Sequence, residues 1–211
     1  MDDIKRVIEI IHILNKFRSG AKSELIHKTP LEFMVAVILS AQATDKSVNK
    51  VSPALFEKFQ TVSDYANADV EELASYIKSI NYYKTKAERI ILACKFLENN
   101  FGGNIPSFVT ELIKIPGIAR KSANVISQEM FGVVEGVVVD THVIRVSQRL
   151  GFTKEKSADK IEKDLMVLLP LEYWKDYGIQ IVLHGRYICL AKNPKCLECP
   201  INKLCPSVDK V

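Results

Sequence analysis

Apolar residues recur along most of the chain at the three- and four-residue spacing of amphipathic helices. At the N-terminus, one helical face would carry Ile4, Val7, Ile8, Ile11 and Leu14. After Thr85, the same spacing aligns Ala87, Ile90, Ile91, Cys94 and Leu97. This second alignment predicts that Cys94 packs in a core as an unreactive thiol. The chain is therefore predicted to be all-α.

Capping residues, prolines and glycines mark the expected ends of these helices. Thr29-Pro30-Leu31-Glu32 combines an N-cap, a first-turn proline and a capping box, and predicts a helix to about Ala41. Asp69 is expected to cap a helix over residues 70–80. Pro53 is expected to kink or restart the helix that contains it. The only strand-like run, Val133–Val139, has no partner strand and is predicted to be a connection.

The composition of the 211 residues, 47% hydrophobic and 26% charged, is that of a soluble globular protein. The apolar runs are too short to span a bilayer, and the N-terminus lacks a signal-peptide pattern. These features predict an intracellular, cytoplasmic protein without a membrane partner. The net charge of +4 permits a polyanionic partner and does not require one.

Four of the five cysteines lie close together near the C-terminus, in the spacing C-x6-C-x2-C-x5-C. They are Cys189, Cys196, Cys199 and Cys205. Four thiolates can hold either zinc or a [4Fe–4S] cluster. Structural zinc sites usually contain two C-x2-C pairs, whereas this segment contains one, so the spacing favours the cluster over zinc.

Residues 112–123 have the pattern of a short helix, a Pro-Gly turn and a second helix. Free backbone N–H groups at the start of the second helix suit a phosphate oxygen, and Arg120 and Lys121 add positive charge. Such a hairpin would bind the DNA backbone without reading sequence. An ordinary helical hairpin with a polar rim is the alternative.

Two residues in this part of the chain have side chains suited to catalysis. A lysine in the first turn of a helix, as Lys121 would be, has its charged form disfavoured, and a neutral amine is a nucleophile. A solvated, phosphate-binding lysine is the alternative. Asp140 precedes a predicted helix over residues 143–150, where it could act as an N-cap, stabilise a cationic sugar or help to activate an amine.

These motifs, taken in order, resemble the endonuclease III branch of the helix–hairpin–helix DNA glycosylase superfamily. The resemblance rests on Leu39–Asp45, the hairpin Ile115–Ala123, Val139–His142, Leu183–Tyr187 and the four cysteines. It implies two α-helical domains with a DNA-binding cleft between them. One would span residues 19–132 and carry the hairpin. The other would join residues 1–18 to 133–211 and hold a [4Fe–4S] cluster.

The resemblance also implies an activity and roles for individual residues. Members are DNA glycosylases that remove oxidised pyrimidines from double-stranded DNA and cut at the abasic site. Lys121 matches the Schiff-base lysine, and Asp140 matches the catalytic aspartate. Positions around the base pocket correspond to Ser40, Asp45 and His142. The protein would be DNA-associated, with a monomer as the default.

The DNA-contacting positions implied by the resemblance lie on three segments. Gln42 matches the residue that fills the gap left by the flipped nucleotide. The hairpin contacts would come from Gly117, Ile118, Ala119 and Arg120, and further phosphate contacts from Lys192 and Lys195. For the last two, solvated loop lysines are the alternative.

The chain departs from the family pattern at two DNA-contacting positions. Asn81-Tyr82 replaces the common Gly-Leu, so Tyr82 stands at the position of the wedge that enters the duplex; a tyrosine packed on the core is the alternative. Ala119 replaces the second hairpin glycine, and a positive φ there would cost roughly 1–2 kcal/mol.

Two other functions compete with a glycosylase that is also a lyase. Adenine glycosylases share the fold and the cysteines, but they lack the hairpin lysine and carry a catalytic glutamate where this chain has Ala36. A non-enzymatic DNA-binding or electron-transfer module would use the hairpin and the cluster and leave Lys121 and Asp140 without a role.

Overall fold

The computed structural model describes residues 2–208, and within that range it contains eleven α-helices and no β-strand. This confirms the predicted all-α class. The helices are α1 (Asp3–Phe17), α2 (Pro30–Ser40), α3 (Asp45–Lys58), α4 (Val62–Ala66), α5 (Val70–Tyr76), α6 (Tyr83–Phe101), α7 (Val109–Leu112), α8 (Arg120–Ile126), α9 (Thr141–Arg149), α10 (Ala158–Leu168) and α11 (Trp174–Tyr187). A π-helical turn, Ser127–Phe131, continues α8, and 3₁₀ turns span Leu171–Tyr173, Cys196–Glu198 and Asn202–Leu204.

The described residues divide into two compact units, each with its own hydrophobic core. One unit runs through Ser23 and resumes at Val134, and the other is Glu24–Val133. We retain as a proposal that these units represent the domains 19–132, and 1–18 with 133–211. Within the described part of the chain, no helix is long and apolar enough to cross a membrane.

The core of the Glu24–Val133 unit is organised around α2. Every residue from Phe33 to Leu39 is buried, because this helix is apolar on all sides. It contacts α3, α6 and α8, while α4 and α5 pack against α6. Cys94 lies on α6 in this core, as predicted, and burial raises the pKa of its thiol to about 12.

The core of the other unit is built mainly from α1, α9, α10 and α11. The buried residues of α1 are Val7, Ile10, Ile11 and Leu14. Ile4, which we expected on this face, is exposed, because it lies in the first turn of the helix. Both α1 and α9 pack on α11, and the buried Tyr177 hydroxyl bonds the Ser147 hydroxyl at 2.7 Å.

The predicted N-caps agree with the structure, whereas the predicted end of α5 and the predicted effect of Pro53 agree less well. Thr29 and Asp69 cap α2 and α5 as expected, although α5 ends at Tyr76. The Glu32 carboxylate accepts from the Lys28 amide instead of closing the capping box on Thr29. The helix α3 continues through Pro53, so it does not restart there, and the kink that we expected at this proline stays a prediction. Burial of the apolar face of α3 outweighs one lost hydrogen bond.

Candidate functional site

The helix–hairpin–helix is present, and its turn depends on one glycine. Gly117 has φ 86°, and the Ile118 amide donates to the Ile115 carbonyl at 3.1 Å. Ile118 is buried and anchors the turn. Ala119 is the N-cap of α8 with φ −85° and ψ 166°, an extended conformation that any residue adopts. The strain considered for Ala119 therefore does not arise, because Gly117 carries the positive φ.

Lys121 lies in the first turn of α8, directly after this hairpin turn. Its side chain and that of Arg120 are both exposed. Ala119 has no side-chain oxygen that could cap the helix. The π-helical turn that follows α8 ends at Gly132, whose φ of 67° reverses the chain. The hairpin thus presents a lysine amine at the surface of a fixed element, where an anionic polymer can reach it.

Gln42 occupies a tight turn immediately after α2. Ala41 has φ −58° and ψ 116°, Gln42 has φ 54°, and the Ala43 amide donates to the Ser40 carbonyl at 3.1 Å. This is the geometry of a type II turn, in which glycine or asparagine is usual at the position that Gln42 occupies. The Gln42 side chain is exposed.

The remaining residues expected near the base pocket in this unit flank the same turn. The half-buried Ser40 donates its hydroxyl to the Val37 carbonyl at 2.9 Å. Asp45 is the half-buried first residue of α3, next to the N-cap Thr44. The structure therefore brings Ser40, Gln42 and Asp45 together on one short connection.

Tyr82 is exposed and does not pack on the core. Its side chain is 66% exposed, and its φ is 59°. This conformation reverses the chain just before α6, so that α6 begins at Tyr83 rather than after Thr85. The preceding Asn81 donates its side-chain amide to the Gln42 carbonyl at 3.1 Å. The tyrosine expected as a wedge thus lies beside the turn that carries Gln42.

Asp140 is the N-cap of α9. Its Oδ1 accepts hydrogen bonds from the backbone amides of His142 at 2.8 Å and Val143 at 2.9 Å. The connection from Val134 that leads to it forms no strand, as predicted. Both hydrogen bonds use the same oxygen, so the capping geometry fixes the carboxylate.

His142 is held against α11 at a glycine. A Cβ added at Gly185 would lie 2.8 Å from His142 Cβ and 3.2 Å from an Arg145 guanidinium nitrogen. Arg145 also lies 3.3 Å from His142 Nδ1 and donates to the Gly185 carbonyl at 2.8 Å. Gly185 therefore permits the close approach that positions the histidine.

Replacing Gly185 with alanine is expected to destabilise the protein by about 1–3 kcal/mol, because the new methyl group overpacks a buried contact. Urea unfolding measures the loss. The matched change on the same helix is Gly178→Ala, whose added Cβ would meet Val138 atoms at 3.4 to 3.6 Å and should cost less. Equal stability of the two variants would show that the 2.8 Å approach is not limiting.

The four C-terminal cysteines line one cavity. All four are unbridged, and the cavity contains about 400 Å³ of space, including the part open to solvent. Its wall also includes Val146, Leu150, His184, Ile188 and Ile201. Among residues 2–208, no three histidine, cysteine or acidic side chains converge closely enough to hold a single metal ion. The four thiols thus share one cavity.

Side-chain nitrogens lie close to two of these sulfurs, and one of them is an arginine donor. An Arg149 guanidinium nitrogen lies 3.2 Å from Cys189 Sγ and the buried His184 Nε2 lies 3.6 Å from Cys199 Sγ. Burial lowers the pKa of His184 to about 4, so the imidazole is neutral at pH 7. Burial raises the pKa of Cys199 to about 11. An arginine donor suits a thiolate ligand, whose negative charge it stabilises.

The loop between the first two cysteines carries Lys192 and Lys195, and both are exposed. Asn193 between them has φ 50°, and the Lys195 amide donates to the Ile188 carbonyl at 3.0 Å. Arg149 also donates to the Leu190 carbonyl at 2.7 Å and to the Ala191 carbonyl at 3.2 Å. The loop is therefore fixed at its base and presents its lysines outward.

Comparisons with known proteins agree with this geometry. The family described as HhH-GPD superfamily base excision DNA repair protein matches residues 35–171. Endonuclease III from Synechocystis sp. is 45% identical over 96% of this chain and 93% of its own length, and that from Escherichia coli is 38% identical over 100% and 99%. The chain belongs to the endonuclease III family.

This membership places the protein among the base excision repair DNA glycosylases. A solved structure of a trapped endonuclease III–DNA covalent intermediate superimposes with a TM-score of 0.92 and 41% identity, covering 100% of this chain and 99% of that one. The iron–sulfur binding domain of endonuclease III matches residues 189–205, which include all four cysteines. The prediction of a [4Fe–4S] cluster is confirmed.

The cysteine cavity of this endonuclease III family member fits that cluster. Four thiols lining one cavity, with the Arg149 guanidinium donating to Cys189 Sγ, are suited to a group that takes thiolate ligands. Cys189, Cys196, Cys199 and Cys205 would hold this cluster, which would then cross-link the C-terminal segment. Arg149 contacts the sulfur of Cys189, and His184 contacts the sulfur of Cys199.

The supporting arginines of α9 were not identified from the sequence. Arg145 donates to the Gly185 and Cys189 carbonyls, and Arg149 donates to the Cys189 sulfur and the loop that follows. Their four-residue spacing places them on one helical face, which is the signal that could have suggested a shared partner. The sequence gives no indication that this partner is the cysteine loop.

Cys196→Ser is expected to remove the brown colour and most of the iron and to destabilise the C-terminal segment, because serine is a poor ligand for this cluster. Iron and sulfide analysis of the purified protein measures the result. Cys94→Ala is the matched control, since Cys94 is buried in the other unit and should not affect the iron content. Full iron content in Cys196→Ser would exclude Cys196 as a ligand.

Proposed function

We propose that this protein removes oxidised pyrimidines from duplex DNA and then cleaves the strand 3′ to the abasic site. The observation that carries the proposal is the exposed Lys121 at the start of α8, directly after the hairpin turn. A similar protein, endonuclease III, has been trapped as a covalent intermediate with DNA. A bifunctional glycosylase and lyase uses a lysine amine in this way, whereas a monofunctional glycosylase needs none.

In the proposed reaction the Lys121 amine is the nucleophile. Its nitrogen forms a bond to the sugar C1′ as the bond from C1′ to the base breaks, and the base leaves with a proton. Opening of the sugar ring gives a Schiff base between the lysine nitrogen and C1′. The Schiff base acidifies the C2′ proton; removal of that proton forms a C2′–C3′ double bond and expels the 3′ phosphate. None of these steps needs an oxidant or a reductant.

In this proposal Asp140 supports the first step electrostatically. Its carboxylate stabilises the cationic sugar and helps to remove a proton from the attacking amine. The two backbone hydrogen bonds to Oδ1 hold the carboxylate in a defined orientation. The capping role and the catalytic role are therefore compatible, since one rigid carboxylate can perform both.

The proposed DNA contacts come from the exposed turns. The hairpin residues Gly117–Arg120 bind phosphate, Gln42 fills the gap left by the flipped nucleotide and Tyr82 enters the duplex. The loop lysines Lys192 and Lys195 meet further phosphates. The proposed contacts to the flipped base come from Ser40, Asp45 and His142. A single copy of the chain carries all of these groups, so we propose a monomer that acts on DNA inside the cell.

A borohydride trapping assay tests the proposed function. The protein is incubated with a duplex containing one oxidised pyrimidine, and borohydride reduces any Schiff base to a stable amine. We expect a covalent protein–DNA band with this duplex and with a preformed abasic site, and none with undamaged DNA. Binding without cross-linking to either damaged duplex would exclude the lyase activity and favour a monofunctional glycosylase or a binding module.

A further inference from the structure

Two side chains at the start of α6 hold the turn that carries Gln42. The Lys86 Nζ donates to the Leu39 carbonyl at 2.8 Å and to the Ala41 carbonyl at 2.7 Å. The Asn81 side-chain amide donates to the carbonyl of Gln42 itself at 3.1 Å. Three carbonyls of this short segment are thus fixed by side chains from one neighbouring segment.

Lys86 is unusual because it is a buried cation. It is 3% exposed, and lysine is almost never fully buried unless it is paired. The hydrogen bonds described for it in residues 2–208 go to two backbone carbonyls at the end of α2. The end of a helix leaves carbonyls unsatisfied and carries partial negative charge, which a cation stabilises. Burial, followed by the charge of Arg89, lowers the pKa of this amine.

The held turn and the adjacent Tyr82 share a strained backbone conformation. Gln42 and Tyr82 both have positive φ, which residues with side chains rarely adopt. Such conformations persist where the surroundings determine them, and they occur often at functional sites. Asn81 directly precedes Tyr82 and bonds Gln42, so it joins the two strained residues. The turn and the start of α6 are therefore one connected element.

We propose that Lys86 and Asn81 are positioning residues that hold Gln42 and Tyr82 as a single preformed wedge for duplex DNA. The inference rests on the proposed function, in which these two side chains replace stacking lost when a nucleotide leaves the duplex. A preformed wedge loses little conformational entropy when DNA binds, and this favours binding of the duplex with the nucleotide flipped out. Neither positioning residue needs to contact DNA for this effect.

The proposal predicts a defect that depends on the second DNA strand. An abasic site in single-stranded DNA is already unstacked, so trapping by Lys121 there does not need a wedge. For Lys86→Met, we expect the rate of borohydride trapping on abasic duplex to fall about 10- to 100-fold, in line with the effect of misplacing a positioning group. Trapping on single-stranded abasic DNA should remain close to that of the unaltered protein.

Controls separate positioning from charge and from folding. Lys86→Arg keeps a buried cation with several donors and should restore part of the duplex rate. Lys95→Met removes the same charge from an exposed position of α6, roughly 13 Å further along the helix axis, and should change neither rate. Asn81→Ala removes only a surface amide and should reproduce the duplex-specific defect with a normal melting temperature.

A fluorescent readout tests the wedge without chemistry. With 2-aminopurine opposite the abasic site, a wedge that enters the duplex changes the stacking and hence the fluorescence of the probe. We expect the change seen with unaltered protein to be reduced by Lys86→Met and Asn81→Ala. In a Gln42→Ala background, Lys86→Met should add little to the trapping defect, because the lysine acts through that turn.

The outcomes distinguish this inference from the proposed function. If unaltered protein traps abasic DNA but Asn81→Ala and Lys86→Met slow duplex and single-stranded substrates equally, or slow neither, the positioning role is excluded. If unaltered protein traps neither substrate, the lyase proposal fails, and the 2-aminopurine signal then decides whether the wedge is present. If Lys86→Met does not fold, the duplex and single-strand rates of Asn81→Ala decide the positioning role.

Discussion

Lys121→Gln is expected to abolish the borohydride-trapped complex with abasic duplex while duplex binding persists. Glutamine keeps a polar side chain of similar reach, but its amide nitrogen is not a nucleophile and cannot form a Schiff base. Since Lys121 is exposed in the first turn of α8, the substitution should leave the melting temperature within a few degrees. Gel-shift binding, trapping and strand cleavage are measured on the same preparation.

The matched control is Lys114→Gln, an exposed lysine near the end of α7 in the same hairpin. It removes an equal charge close to the proposed DNA path, so it should weaken binding in a salt-dependent manner and still permit trapping. If both variants trapped DNA equally well, another amine would be the nucleophile. If Lys121→Gln failed to bind as well as to trap, the lysine would be assigned to phosphate binding alone.

The sequence predicted the all-α class, the capped starts of several helices and a [4Fe–4S] cluster, while the assignment of its four cysteine ligands stays a prediction. Local signals were sufficient there: Thr29, Asp69 and Asp140 each accept a backbone amide at the start of a helix, which is a property of a few consecutive residues. The cysteine spacing is equally local. The π-helical turn Ser127–Phe131 was not predicted, since nothing in its composition distinguishes it from an α-helix.

The connections between distant segments could not be predicted in this way. Asn81 lies 39 positions from Gln42, and Lys86 lies 47 positions from Leu39, so no pattern in either segment indicates its partner. Lysine is normally solvated, and nothing in the sequence around Lys86 indicates a buried cation. Tertiary packing determines these contacts. They hold the turn of Gln42, a residue that the resemblance identified without indicating what positions it.

The expected result for Asp140→Asn is a stable protein that releases the damaged base about 10²- to 10⁴-fold more slowly, the usual range for loss of an acid–base group. Asparagine is as good an N-cap as aspartate, and its carbonyl oxygen can accept from the His142 and Val143 amides as Oδ1 does. The substitution therefore removes the charge and keeps the cap. Single-turnover base release and urea unfolding measure the two effects separately.

Asp140→Ala and Asp69→Asn complete the comparison for Asp140. Alanine removes the cap as well as the charge, and the loss of an N-cap costs about 0.5–2 kcal/mol of stability. Asp69 caps α5 through the Glu72 amide at 2.9 Å, so Asp69→Asn should change neither stability nor base release. If Asp140→Asn released the base at the unaltered rate while Asp140→Ala lost stability, Asp140 would be a helix cap and nothing more. Slow release by a stable Asp140→Asn would instead require the carboxylate charge itself, since every backbone hydrogen bond it makes would be retained.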